Sequence, residues 1–332
     1  MAQELEIEKR ISDFNRIFGD VEKEVGRVIV GMSEVVRLAT IGIFAGGHVL
    51  LEGVPGLGKT LLVKTIASTL GLSFKRVQFT PDLMPSDVTG TQVMADDGSG
   101  GRKFVFRPGP LFSQIVLADE INRATPKTQS ALLEAMEERQ VTVFDETHRL
   151  PQPFFVLATQ NPIELEGTYP LPEAQLDRFM VKVIVNSPNA AQLKEILART
   201  TGDKQSGVTP VFDSATAVVT IASMRDLVRK VVVSDGMLEV LVRMIGALTP
   251  TGQYTPEKIK KYVRFGPGPR GAQATLLVAK TLALLDGRIN LALEDIREAI
   301  VPALRHRIIL NFQAEADGVT TDQILRDIKN AK

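Results

Sequence analysis

From Gly53 to Thr60 the sequence reads G-V-P-G-L-G-K-T, and few other residue combinations say so much about chemistry. Gly53, Gly56 and Gly58, with Pro55 between them, make a loop nearly free of β-carbons. Successive backbone N–H groups can therefore curl around a phosphate at the start of a helix, where the positive end of the helix dipole also points. Lys59 would reach the β- and γ-phosphates, and the Thr60 hydroxyl would take a Mg²⁺ position. Val54, Leu57 and Leu61 complete the stretch expected to touch a nucleoside triphosphate. A glycine-rich turn capping an ordinary helix is the plainer explanation, but it does not account for the lysine and threonine at this spacing.

Two further groups fit the same chemistry. Asp119-Glu120 ends an apolar run, and buried carboxylates are costly unless something pairs with them. A Mg²⁺ held by Asp119, with Glu120 polarising the attacking water, would pair both; a helix N-terminal cap is the simpler alternative. With a phosphate loop upstream, catalysis is favoured, because phosphoryl transfer needs these parts in this order. Asn161, at the end of the next apolar run, can orient water or touch the γ-phosphate. Arg178, taken singly, reads as a surface arginine. Arg270 opens a long helix, where the dipole opposes a cation, so an anion is expected beside it.

These groups need a scaffold that brings them together. Val49-Leu50-Leu51, Phe74 to Phe79, Ile115 to Ala118, Phe154 to Ala158 and Phe179 to Val185 read as strands, most of them continuous apolar runs of the kind buried on both faces. Helical spacing between and before them (Ile11 to Val25, Ser33 to Ala45, Leu62 to Leu70, Thr128 to Glu138) predicts an α/β fold with a doubly wound, largely parallel sheet. Ligands of such sheets sit beyond the carboxyl ends of the strands, where Gly53 to Thr60, Asp119-Glu120 and Asn161 all fall. TQVM at 91 to 94 and KFVFR at 103 to 107 flank ADDGSGGR, a β-hairpin insertion with a floppy tip. Beyond Asn186-Ser187-Pro188 the pattern turns helical, at 190–200, 214–230, 236–248, 269–285 and 293–304. The expected division is a nucleotide-binding core over 1–187 and a smaller all-helical domain over 188–332.

Composition narrows the function classes. In 332 residues, Lys+Arg and Asp+Glu are both 39, so no basic excess advertises nucleic acid. There are no cysteines, which excludes disulfides and thiolate metal sites. The N-terminus lacks an apolar signal core and no run approaches the roughly 20 apolar residues of a membrane span, so a cytoplasmic protein is expected. Arg123, His48, His148 and His306 read as packing or solvated surface, and no two histidines show metal-ligand spacing.

GVPGLGKT, IVLADEINRA, ATQNP, LPEAQLDRF and GPGPRG, in that order across nearly the whole chain, resemble the motif series of the MoxR family of AAA+ ATPases. The resemblance implies an αβα core with a helical lid and assembly into a homo-oligomeric ring, commonly a hexamer. Lys59, Thr60, Asp119 and Glu120 match the Walker residues, and Asn161 matches sensor 1. Arg178 matches the arginine finger that reaches a neighbouring subunit's γ-phosphate. Arg270 matches sensor 2, acting within its own subunit or on a neighbour's nucleotide. Residues 28 to 31, Val30 and Gly31 among them, match the stretch lining the adenine pocket, and the hairpin resembles the helix-2 insert shared with magnesium chelatase ATPases. The resemblance thus implies Mg²⁺-dependent ATP hydrolysis used to remodel, mature or activate protein partners, among them proteins with von Willebrand factor A domains. A magnesium-chelatase-type motor subunit, a nucleic-acid-stimulated motor and a nucleotide-dependent scaffold are the alternatives.

Overall fold

Five apolar runs become the strands of one parallel sheet: β1 (His48–Glu52), β2 (Phe74–Gln78), β3 (Ile115–Asp119), β4 (Phe155–Gln160) and β5 (Phe179–Ile184). Their order across the sheet is β2-β3-β4-β1-β5, and every pairing is parallel. The computed structural model describes residues 2–96, 101–162, 167–202, 207–252 and 254–330. The three central strands are buried on both faces, which is why β3 and β4 read as unbroken hydrophobic runs rather than alternating ones. The edge strand β2 is more open, with Val77 its one buried residue. Glu52 lies beside Gln160 and Ile184, so the carboxyl ends of β1, β4 and β5 share one rim of the sheet.

Two apolar layers sandwich this sheet. On one face, helices α1 (Ala2–Gly26), α2 (Ser33–Ala45) and α3 (Lys59–Thr69) bury the residues the helical spacing selects. Phe14 and Phe18 of α1 meet Phe44 of α2 edge-on, with ring centroids 5.7 and 5.8 Å apart. Aromatic pairs of this geometry contribute about 0.5–1.5 kcal/mol beyond their buried area. The other face is covered by α4 (Pro126–Glu138), through Leu132, Leu133 and Met136.

The insertion forms a hairpin of strands Gly90–Asp96 and Arg102–Pro108; its expected floppy tip, residues 97–100, lies outside the described residues. A second hairpin, Gln140–Val143 with Glu146–Arg149, was not expected. It holds the first one through a stack of Phe106 on the His148 ring, centroids 3.8 Å apart and planes 9° from parallel. After β5 come the helices α5 (Ala190–Thr200), α6 (Ser214–Lys230), α7 (Asp235–Ala247), α8 (Pro269–Leu285), α9 (Leu293–Leu304) and α10 (Thr321–Asn330). Among the described residues no helix is long and apolar enough to cross a membrane.

His48 and His306 are buried and neutral. The His48 Nε2 donates to the Met136 carbonyl (3.1 Å) and its Nδ1 accepts the Val156 N–H (3.0 Å). A second ring proton would face that N–H, and burial pushes the pKa down to about 4. Burial also lowers His306, with Arg307 adding to the effect. Because the unfolded chain takes these protons first as the pH falls, stability is present above about pH 6.5. It is lost below that, at roughly 1.4 kcal/mol per pH unit and per group. Thermal melts should therefore drop by several degrees between pH 7.5 and 5.5, and His48→Gln should flatten the slope; a melting temperature constant over this range would contradict the assignment.

Candidate nucleotide site

The loop between β1 and α3 is shaped by its neighbours as much as by its own sequence. A β-carbon on Gly53 would sit 2.7 Å from the Val185 carbonyl, so glycine is required where β5 passes. Gly58 caps α3 in the left-handed region, φ 80°, a conformation cheap only for glycine. Lys59 folds back into the loop. Its Nζ donates to the carbonyls of Gly53 and Val54, the latter at 3.1 Å, and the side chain is buried. Burial pulls the ammonium below its ordinary pKa, while Asp119 and Glu120 oppose that shift.

The acidic pair stands opposite the loop. Asp119 Oδ2 accepts from Thr60 Oγ1 at 3.3 Å and from Arg76 Nη2 at 2.7 Å. Its Oδ1 accepts from Thr159 Oγ1 at 2.6 Å. Glu120 adopts φ 56°, ψ 51°, a region few non-glycine residues enter. Its backbone N–H donates to the same Thr159 hydroxyl at 2.7 Å. Its carboxylate accepts from Gln78 Nε2 (2.7 Å) and Arg123 Nη1 (2.9 Å). Asn161 follows β4, beside Gly53, and is buried. Lys59, Thr60, Asp119, Glu120 and Asn161 thus gather on one rim of the sheet. Thr60 and Asp119 are the side chains here that could hold Mg²⁺. Among the described residues no cluster of three His, Cys, Asp or Glu side chains is placed to hold a metal. Two hard oxygen donors suit an ion that keeps most of its ligands as water and phosphate oxygens.

Next to the loop is a mostly apolar cavity of about 300 Å³. Val30, Gly31, Gly56, Leu57, Gly58 and Leu61, all among the residues expected to contact a nucleotide, line it. Val54 and Pro55 do not; Val54 gives its carbonyl to Lys59, and Pro55 is exposed. The far wall is Pro188, Leu193 and Ile196, which carry no motif. Their signal was α5 itself, an amphipathic helix with none of its residues fully buried. Gln78 and Arg76 were likewise missed, because nothing in their local sequence marks them; Thr159 lies within the ATQNP motif, which drew attention only to Asn161. Arg123 is a correction: the ion pair with Glu120 gives it a place in the site rather than on bland surface.

Arg178 and Arg270 lie elsewhere. Arg178 immediately precedes β5, whose first residue, Phe179, is level with His48 at the start of β1. The five residues of β1, at about 3.3 Å each, put the arginine about 16 Å from the loop rim. Its guanidinium pairs with Glu137 of α4 at 3.1 Å and donates to the Leu133 carbonyl. Arg270 pairs with the same Glu137. The anion expected beside this helix start is therefore a carboxylate of the same chain. Both arginines border a cavity of about 240 Å³ that Arg139 and Arg307 also line.

A parallel sheet in this strand order, with a phosphate loop after its first strand and an acidic pair after its third, defines a nucleoside triphosphatase of the AAA+ class. Comparison with known proteins agrees. A family model described as ATPase family associated with various cellular activities matches residues 48–181, and one for the AAA lid domain matches residues 257–328. Chaperone MoxR1 of Mycobacterium tuberculosis is 40% identical over 92% of this chain and 79% of its own length. Protein MoxR of Methylorubrum extorquens is 33% identical over 90% of each chain. A solved structure assigned as an ATPase, from Cytophaga hutchinsonii, superposes with a TM-score of 0.89 at 40% identity, covering 99% of this chain and 98% of that one. The chain belongs to the MoxR family of AAA+ ATPases.

Proposed function

We propose that this ATPase works as a Mg²⁺-dependent homo-oligomeric ring, hexameric in the simplest case, in which each nucleotide is completed by two arginines of the next copy. The observation that carries this reading is the separation of parts. Lys59, Thr60, Asp119 and Glu120 occupy the carboxyl rim of the sheet, and Arg178 and Arg270 occupy the amino rim. One chain cannot present both rims to one triphosphate.

The chemistry is divided accordingly. The loop amides and Lys59 bind the β- and γ-phosphates, and the apolar cavity between Val30 and Ile196 takes the base. Thr60 and Asp119 hold Mg²⁺, which supplies charge neutralisation on the phosphates when bound. Water attacks the γ-phosphorus in line, and Glu120 takes its proton as ADP leaves. Asn161 orients that water. Gln78 and Arg123 fix the Glu120 carboxylate, and Thr159 fixes its backbone. Arg178 and Arg270 exchange Glu137 for the neighbour's γ-phosphate and offset the charge that develops there. Residues 1–187 serve as the core and 188–332 as the lid.

The work done is remodelling of protein partners in the cytoplasm, a reading supported by the chaperone name of the Mycobacterium relative; proteins with von Willebrand factor A domains are the first clients to test. If the site is shared between copies, ATP turnover per chain should fall steeply on dilution and recover on reconcentration, in step with the assembled mass measured by light scattering. Turnover per chain independent of concentration, in a preparation that is monomeric throughout, would end the ring reading.

A further inference from the structure

We propose that Arg307 is a positioning residue for both donated arginines, setting Arg178 through the backbone on either side of it and Arg270 through the start of its helix. The proposal rests on the shared-site reading above and names a residue that it leaves without a role.

Arg307 follows α9, and its side chain is 4% exposed. A guanidinium so deeply buried is tolerable only if its five N–H donors are used. Nε donates to Asp177 Oδ1 at 2.7 Å, and Nη2 to the carbonyls of Asp177 (2.8 Å) and Phe179 (2.7 Å). Nη1 donates to the Met180 carbonyl at 3.2 Å and to that of Ala303. Apart from the last, every one of these bonds goes to the segment 177–180, so the fork straddles Arg178. The neighbouring His306 adds a bond from Nε2 to the Phe179 carbonyl at 2.9 Å.

The other side of Arg307 supports the second arginine. A β-carbon on Gly271 would lie 3.0 Å from Arg307 Cδ, so the first turn of α8, with Arg270 next door, rests on the Arg307 stem. One side chain of the helical part therefore fixes the core segment bearing one arginine and the helix start bearing the other. None of its contacts reaches the loop rim, about 16 Å away across the sheet. Removing it should disturb what the chain gives to its neighbour and leave alone what it holds for itself.

The test separates those two faces. Arg307→Ala should keep its affinity for a fluorescent ATP analogue within about twofold. Its kcat should fall about 10- to 100-fold with little change in KM, the cost of arginines held an ångström or so out of place. Asp177→Ala, which removes only one partner of the fork, should give the same split at about tenfold, and it serves if the first variant folds poorly. Mixed with Glu120→Gln protein, which cannot hydrolyse but offers intact arginines, either variant should regain turnover. Mixed with Arg178→Ala, it should stay inactive, since both lack the same face. If Arg178→Ala is restored by Glu120→Gln and the Arg307 and Asp177 variants are not, Arg307 is a fold residue and the proposal fails alone. If Arg178→Ala is not restored either, the shared-site reading fails with it.

Discussion

Glu120→Gln should bind ATP as tightly as the parent protein and turn it over at about a hundredth of the rate or less, since a positioned general base is worth about 10²- to 10⁴-fold. The substitution keeps the shape of the side chain and the Thr159 bond to the Glu120 backbone. Its amide oxygen can still accept from Gln78 and Arg123, which now meet at one carboxylate oxygen. What disappears is the capacity to take the proton of the attacking water. Equilibrium binding of a fluorescent ATP analogue and phosphate release, measured on one preparation, separate the two effects. Wild-type turnover would remove Glu120 from the chemistry. The ATP-held protein is also the form in which a client should remain attached long enough to be identified.

Arg178→Ala is expected to cost more than any other substitution on the amino rim. An arginine supplied in trans is worth about 10³-fold or more in related phosphoryl transfer. Binding of ATP to the altered chain's own loop should be unaffected, because the side chain points at Glu137 on the far side of the sheet. Loss of kcat without loss of affinity is thus the expected signature. Arg270 shares Glu137, so the double variant should fall well short of the product of the single effects. A weakened affinity of Arg178→Ala for ATP in the unassembled chain would mean that the residue serves its own nucleotide.

Much of this arrangement was legible in the sequence because it is written in short runs. Strands buried on both faces give unbroken apolar stretches, and Ile115 to Ala118 and Phe154 to Ala158 were placed to within a residue or two. Helices with a strong apolar stripe, such as 214–230 and 293–304, were placed at the observed ends. The loop and the acidic pair are likewise local. What escaped depends on register between distant segments. Gln78 reaches Glu120 only because β2 lies beside β3 with Gln78 opposite Asp119. Glu137 attracts two arginines that local pattern left without a partner. The hairpin at 140–149 has arms of four residues, too short for alternation to stand out, and its Phe144-Asp145 turn lacks glycine. The ribbon of Val263–Phe265 with Ile309–Leu310 is shorter still.

The placement of acceptor and donor groups on opposite rims gives each chain a front and a back. Contacts between such units are heterologous, and identical units joined this way either close on themselves or grow without limit. In a closed assembly the number of competent sites equals the number of chains, whereas an open row always has one fewer. In such an assembly a single faulty donor would silence the site of one neighbour only, always the one on the same side, so each defect would stay local and displaced by one position with a fixed handedness.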